Sequence, residues 1–140
     1  MENILKFCIF GKIQPKQSAR FTRFGVYQNP KVKAYELEVQ RAFRERYRND
    51  VRFPSNMPLV ISLRVYLPIP TSKSKTFKEQ AEKGLIRPIT KPDTDNCGKV
   101  IKDALNGLAY YDDKQIISEH IEKWYSSEPR VEVEIEGDYY

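Results

Sequence analysis

The sequence predicts an α+β domain, a mixed sheet of about four strands packed against two main helices near residues 32–48 and 95–106. Three observations carry that prediction. Apolar residues alternate with polar ones along 59–67 and 130–136, the period of a strand with one buried face. They recur every three or four residues along 32–48 and 97–108, the period of a helix. The chain has 140 residues, one domain's worth, enough to bury roughly two-thirds of the unfolded surface without a disulfide or structural metal.

Residues 4–10, ILKFCIF, are β-branched and aromatic and read as a buried first strand rather than a secretion signal. Gly11 to Pro30 follows as a basic loop or hairpin with Gly25 at its turn. In it Lys12, Lys16, Arg20 and Arg23 interleave with Phe21, Phe24 and Tyr27. That mixture suits unstacked bases and phosphates, and equally suits an ordinary hairpin. Tyr35, Val39, Ala42, Phe43 and Tyr47 then mark the core stripe of the first main helix. Asn49 to Pro58 is a linker of turn formers. Along 59–67, Leu59, Ile61, Leu63, Val65 and Leu67 share one face. Pro68 to Lys75, PIPTSKSK, is expected to be irregular and mobile, with a short helix over about 75–83 closed by Gly84. Two strands, 115–125 and 130–136, complete the chain, the second with Val131, Val133 and Ile135 opposite three glutamates.

Composition narrows the function. Hydrophobic residues make up 40% and charged residues 31%, as in a soluble globular protein. No run approaches the roughly 20 apolar residues of a membrane span, so no membrane partner is expected and the location is expected to be cytoplasmic. Cys8 and Cys97 match no zinc spacing, and His120 stands alone, which argues against a histidine metal site or a histidine-relayed nucleophile. Net charge is +5, but unevenly spread. Residues 1–92 hold 19 Lys and Arg against 7 Asp and Glu, whereas residues 93–140 hold 5 against 12. A basic portion suits a phosphate backbone and an acidic one suits cations beside it. The plainer reading is that the two portions pair across a solvated surface.

The acidic chemistry gathers in KPDTDNCGKVIKDALNGLAYYDDKQI, Lys91 to Ile116. Cys97, Val100, Ile101, Ala104, Leu105 and Leu108 form one helical stripe, with Asn106-Gly107 as its stop. Asp93 and Asp95 would point the same way on an extended lead-in, and a strand-like exit after Tyr110 supplies Asp112 and Asp113. Four carboxylates within 21 residues repel one another unless neutralised, and a hard divalent cation with oxygen ligands does that. Lys99, one turn after Asp95, could stabilise charge on a phosphodiester or simply pair with Asp95. Asp93 could equally be only a helix cap, and Asp112-Asp113 only a turn.

These residues carry a resemblance. Asp93-Thr94-Asp95-Asn96 with Lys99, then Asp103-Ala104-Leu105, then Asp112-Asp113-Lys114-Gln115-Ile116 resemble the signature of the RusA family of Holliday-junction resolvases, small phage-associated endonucleases. That signature is D-x-D-N-x-x-K, a helix with D-A-L, and a D-D-x-Q-[IV] exit. The basic opening KIQPKQSARFTRFGVYQNPKVKAYE is also similar, with Lys16, Gln17 and Arg20 at the characteristic places. The chain departs from the pattern in two ways. The segment between the D-A-L helix and the acid pair is about one residue shorter than in some members, and Gly98 replaces a larger residue at a cost in helix propensity.

The resemblance implies a homodimeric, magnesium-dependent endonuclease that nicks two strands of a four-way junction symmetrically, in recombination and repair. It implies Asp93, Asp95 and Asp113 as core catalytic carboxylates and metal ligands, with Asp112 assisting. Lys99 is implied as a charge-stabilising or base-like partner. The basic residues Lys12, Lys16, Arg20 and Arg23 are the expected DNA contacts. One rival reading is a junction-binding module without cleavage, which would keep the basic N-terminal region, and a second is a metal-dependent nuclease of RNA or simpler DNA flaps. A structural phage protein is a third. Only a cleaving enzyme needs both acid pairs.

Overall fold

The computed structural model describes residues 3–17, 20–27, 29–48 and 51–138, with the side chains of Arg20 and Tyr27 outside that description. In chain order the elements are β1 (Ile4–Phe10), β2 (Arg20–Thr22), β3 (Gly25–Tyr27), α1 (Pro30–Tyr47) and β4 (Leu59–Pro68). There follow α2 (Lys75–Glu82), α3 (Thr94–Leu105), a single 3-10 turn (Asp113–Gln115), β5 (Ile116–Ser126) and β6 (Arg130–Gly137). The α+β architecture is as expected. Strand order in the four-stranded sheet is β1-β6-β4-β5, mixed because β4 pairs parallel with β5 and antiparallel with β6. The two short strands β2 and β3 form a separate hairpin.

Alternation builds the sheet. Leu59, Ile61, Leu63, Val65 and Leu67 on β4, and Val131, Val133 and Ile135 on β6, are all buried on one face, where α1 and α3 pack. Phe7 on β1 meets Phe43 on α1 edge to face, ring centroids 5.4 Å apart. The opposite face carries ion pairs between strands, including Lys6–Glu134 at 3.8 Å and Arg64–Glu122 at 3.5 Å.

Helix ends follow local chemistry. Asn29 caps α1 by accepting from the Lys31 backbone N–H, and Pro30 opens the first turn, two residues earlier than the apolar stripe alone suggests. Pro68–Lys75, expected as irregular, gives its first residue to β4, and its last opens the expected short helix, α2, behind Ser74, whose hydroxyl accepts from the Phe77 N–H. The expected linker is also more than a spacer. Phe53 and Met57 are buried, and Phe53 N–H donates to the Ala109 carbonyl at 3.0 Å, while Asn49 and Asp50 lie outside the described residues.

Candidate active site

α3 carries the first acid pair. Asp93 is its N-cap in extended backbone, yet its carboxylate makes no capping hydrogen bond. Thr94 begins the helix, so Asp95 lies in the first turn and not on an extended lead-in. Asp93 therefore sits at the extended cap and Asp95 inside the first turn, so the two do not share one strand face, a correction to the sequence-based expectation. Helix initiation decides it: the apolar stripe beginning at Cys97 pulls Thr94 to Asn96 into its first turn. Both aspartates are exposed, and among the described residues neither forms an ion pair. A helix N-terminus, with its free N–H groups and positive dipole end, is favourable ground for them.

Lys123 holds this end in place. Its ammonium donates to the carbonyls of Thr90 at 2.7 Å and Pro92 at 2.9 Å, tying the lead-in to β5. It was not singled out in the sequence. Its only signal there is a cation in an otherwise acidic segment. Gly98 gains a reason as well. A Cβ there would meet Ile121 Cδ1 at 2.6 Å, so the missing side chain lets α3 close on β5. Further along, Lys102 pairs with Glu119 at 2.8 Å. Residues 92, 98 and 102 thus face 123, 121 and 119, and helix and strand run in opposite directions side by side.

Asp112 and Asp113 lie by the other end of α3. Asp112 caps the 3-10 turn, its carboxylate accepting from the Lys114 N–H at 2.9 Å. Gln115 clamps the turn. Its side-chain oxygen accepts from the N–H groups of Tyr111 and Asp112, and its amide donates to the carbonyls of Pro54 and Met57. The Lys114 N–H holds Asp112 below the usual carboxylate range. Burial, then the adjoining Asp112 and Asp103 carboxylates, push Asp113 above it, with Lys102 opposing. Asp113 therefore belongs electrostatically to Asp112, Asp103 and Lys102.

The two pairs are not one cluster within a chain. Asp95 and Asp103 are eight residues apart, about 12 Å of helix rise, and Asp113 is grouped with Asp103. Among the described residues no three Asp, Glu, His or Cys side chains gather closely enough to hold a metal. The donors are the hard oxygens that magnesium takes, but a ligand sphere of about 2.1 Å radius cannot reach both pairs of one chain.

The expected cations divide. Lys99 is exposed on α3 and forms no ion pair with Asp95. Lys12 and Arg23 are exposed, and the Arg20 side chain lies outside the described residues. Lys16 departs from its expected role. It is drawn inward between Asp103 at 3.0 Å and Glu36 at 3.2 Å, and its backbone N–H donates to the Asn96 carbonyl. It ties the N-terminal loop to α1 and α3, and its charge is already matched.

The family described as endodeoxyribonuclease RusA matches residues 11–136, nearly the whole chain. The uncharacterized protein YqaN of Bacillus subtilis (strain 168) is 55% identical over 80 residues, which are 56% of this chain and 56% of that protein. The chain thus spans about half the length of the curated relative it matches. No helix among the described residues is long and apolar enough to cross a membrane.

Proposed function

The chain belongs to the RusA family of endodeoxyribonucleases, and from that premise we propose that it resolves four-way DNA junctions as a magnesium-dependent homodimer in the cytoplasm. The observation that carries this reading is the Asp93–Asp95 pair, two exposed carboxylates at the N-terminus of α3 with no ion-pair partner among the described residues. In the plainer alternative, a cap, Asp93 would spend its carboxylate on the helix, and it does not.

The separation of the acid pairs supports the dimer. β5 is an edge strand, exposed from Ile117 to His120, and an open edge invites another strand. It runs from the Asp113 turn to Lys123, which anchors Pro92 beside Asp93. Two copies paired antiparallel along this edge would bring Asp112 and Asp113 of each chain to Asp93 and Asp95 of its partner. Two such composite sites, related by a two-fold axis, match the approximate two-fold symmetry of a four-way junction.

In that arrangement Asp93, Asp95 and Asp113 would hold the ion, with Asp112 adding charge beside it. A bound magnesium supplies Lewis acidity toward the scissile phosphate and a more acidic water. Lys99, exposed one turn from Asp95 and unpaired with it, is free to face the phosphoryl oxygens as they gain charge. The exposed Lys12 and Arg23, with Arg20, would neutralise flanking phosphates.

Cleavage of a synthetic four-way junction with and without magnesium, beside linear duplex and RNA, tests the substrate. We expect cutting of the junction alone, and only with the metal. Asp93→Asn and Asp95→Asn should abolish cutting and leave junction binding intact or tighter, because a charge that repels phosphate is gone. Near-normal cleavage by either variant would sink the assignment.

A further inference from the structure

The β2–β3 hairpin presents apolar rings to water. Phe21 is 86% exposed and Phe24 90%, and Val26 stands across from Phe21 in the hairpin register. The tip is built rather than slack. The Thr22 hydroxyl accepts from the Phe24 N–H at 3.2 Å and donates to the Gly25 carbonyl at 2.9 Å. Gly25 takes φ +117°, a backbone conformation that other residues resist, so the tip can turn tightly with Arg23 and Phe24 at its end. The Arg23 guanidinium lies 5.6 Å from the Phe24 ring centroid.

The surroundings identify the partner. Residues 3–35 contain seven Lys and Arg and not one Asp or Glu. Two copies of so cationic a segment repel each other, which argues against the hairpin as a contact between identical chains. A polyanion is attracted. Among polyanions, one with flat apolar faces also covers the rings, and nucleic-acid bases have such faces.

We propose that Phe21 and Phe24 form a stacking wedge for bases at the branch of the DNA substrate, with Arg23 on the adjoining phosphates. The proposal rests on the junction reading above. A branch point offers bases that lack a stacked neighbour, whereas an intact duplex offers none without prior unstacking. The wedge therefore contributes to recognition of branched DNA, and linear duplex engages only the cations.

The test uses full-length protein without magnesium, so that DNA is bound and not cut. The ligands are a four-way junction carrying 2-aminopurine at the branch and the matching linear duplex. Wild type should bind the junction more tightly than the duplex and change the 2-aminopurine emission. Phe21→Ala/Phe24→Ala should weaken junction binding about tenfold or more, abolish the emission change and leave duplex binding within about twofold. Its melting and sedimentation should match wild type, because both rings are exposed. Phe24→Trp should retain junction affinity. A double variant with unchanged junction affinity and emission would overturn the wedge, as would one that changes the mass of the free protein, which would make the hairpin a protein contact. A wild type with no preference for the junction would instead overturn the substrate reading itself.

Discussion

Lys99 and Lys16 illustrate how two lysines in one acidic neighbourhood come to different uses. Lys16 has two carboxylate partners, Asp103 and Glu36, and is mostly covered, whereas Lys99 has none within ion-pair distance among the described residues and is exposed. An exposed helical ion pair contributes only about 0.3–0.5 kcal/mol, and Lys99 lacks even that, so Lys99→Ala should melt like wild type. Its effect should fall on the chemical step, with a loss on the order of a hundredfold or more in single-turnover cleavage. A variant within about threefold of wild type would return Lys99 to the surface. The exposed pair Lys12 and Arg23 should report in the salt dependence of binding. Neutralising both should flatten the log–log slope by about two units, while Lys16→Ala should leave the slope unchanged and lower stability. Cys97 offers a check on packing at the head of α3. It is fully buried, and burial pushes its thiol up to about 11, with nearby Lys123 opposing and Asp93 adding. Native protein treated with iodoacetamide near pH 8 should therefore keep Cys97 unmodified by mass spectrometry. Rapid labelling at that position would contradict the packing.

Among the elements, the segment between α2 and α3 is the one that local sequence describes least. Gly84 has φ +77°, and a Cβ there would meet the Trp124 ring at 2.9 Å. Arg87 covers the same ring, its guanidinium carbon 3.4 Å from the centroid, and donates to the Lys123 carbonyl at 2.6 Å. Gly84→Ala should lower stability by about 1–3 kcal/mol, from the left-handed backbone and the overpacked ring together. A chemical denaturation midpoint equal to wild type would show that the segment repacks freely. Both main helices and all four main strands were legible because each buries one face, and burial leaves a period in the sequence. The Asp93–Asp95 geometry was not, because the choice between an extended lead-in and a first helical turn depends on where Cys97 packs. The role of Gly98 was equally hidden. A helix glycine reads as a weakness until β5 is seen lying against it.

At the scale of the whole molecule, the sequence names the carboxylates but not their distribution in space. Asp93, Asp95, Asp112 and Asp113 are close in number, and α3 carries the pairs to opposite ends. Spacing along a chain cannot reveal that, since the intervening 12-residue helix reads equally well as a scaffold that gathers ligands and as a strut that separates them. The strut is what the structure has. On the proposed metal-dependent reading, a second copy supplies the other half of each site. The direct test mixes two dead chains. Asp93→Asn and Asp113→Asn, each inactive alone, are co-expressed with different tags and the hybrid dimer is isolated. Sites shared between chains leave one of the two sites in the hybrid fully intact, so it should nick a single strand of a four-way junction in magnesium. Sites confined to one chain leave none intact, and a purified hybrid as inactive as its parents would show that the two acid pairs are not shared between chains.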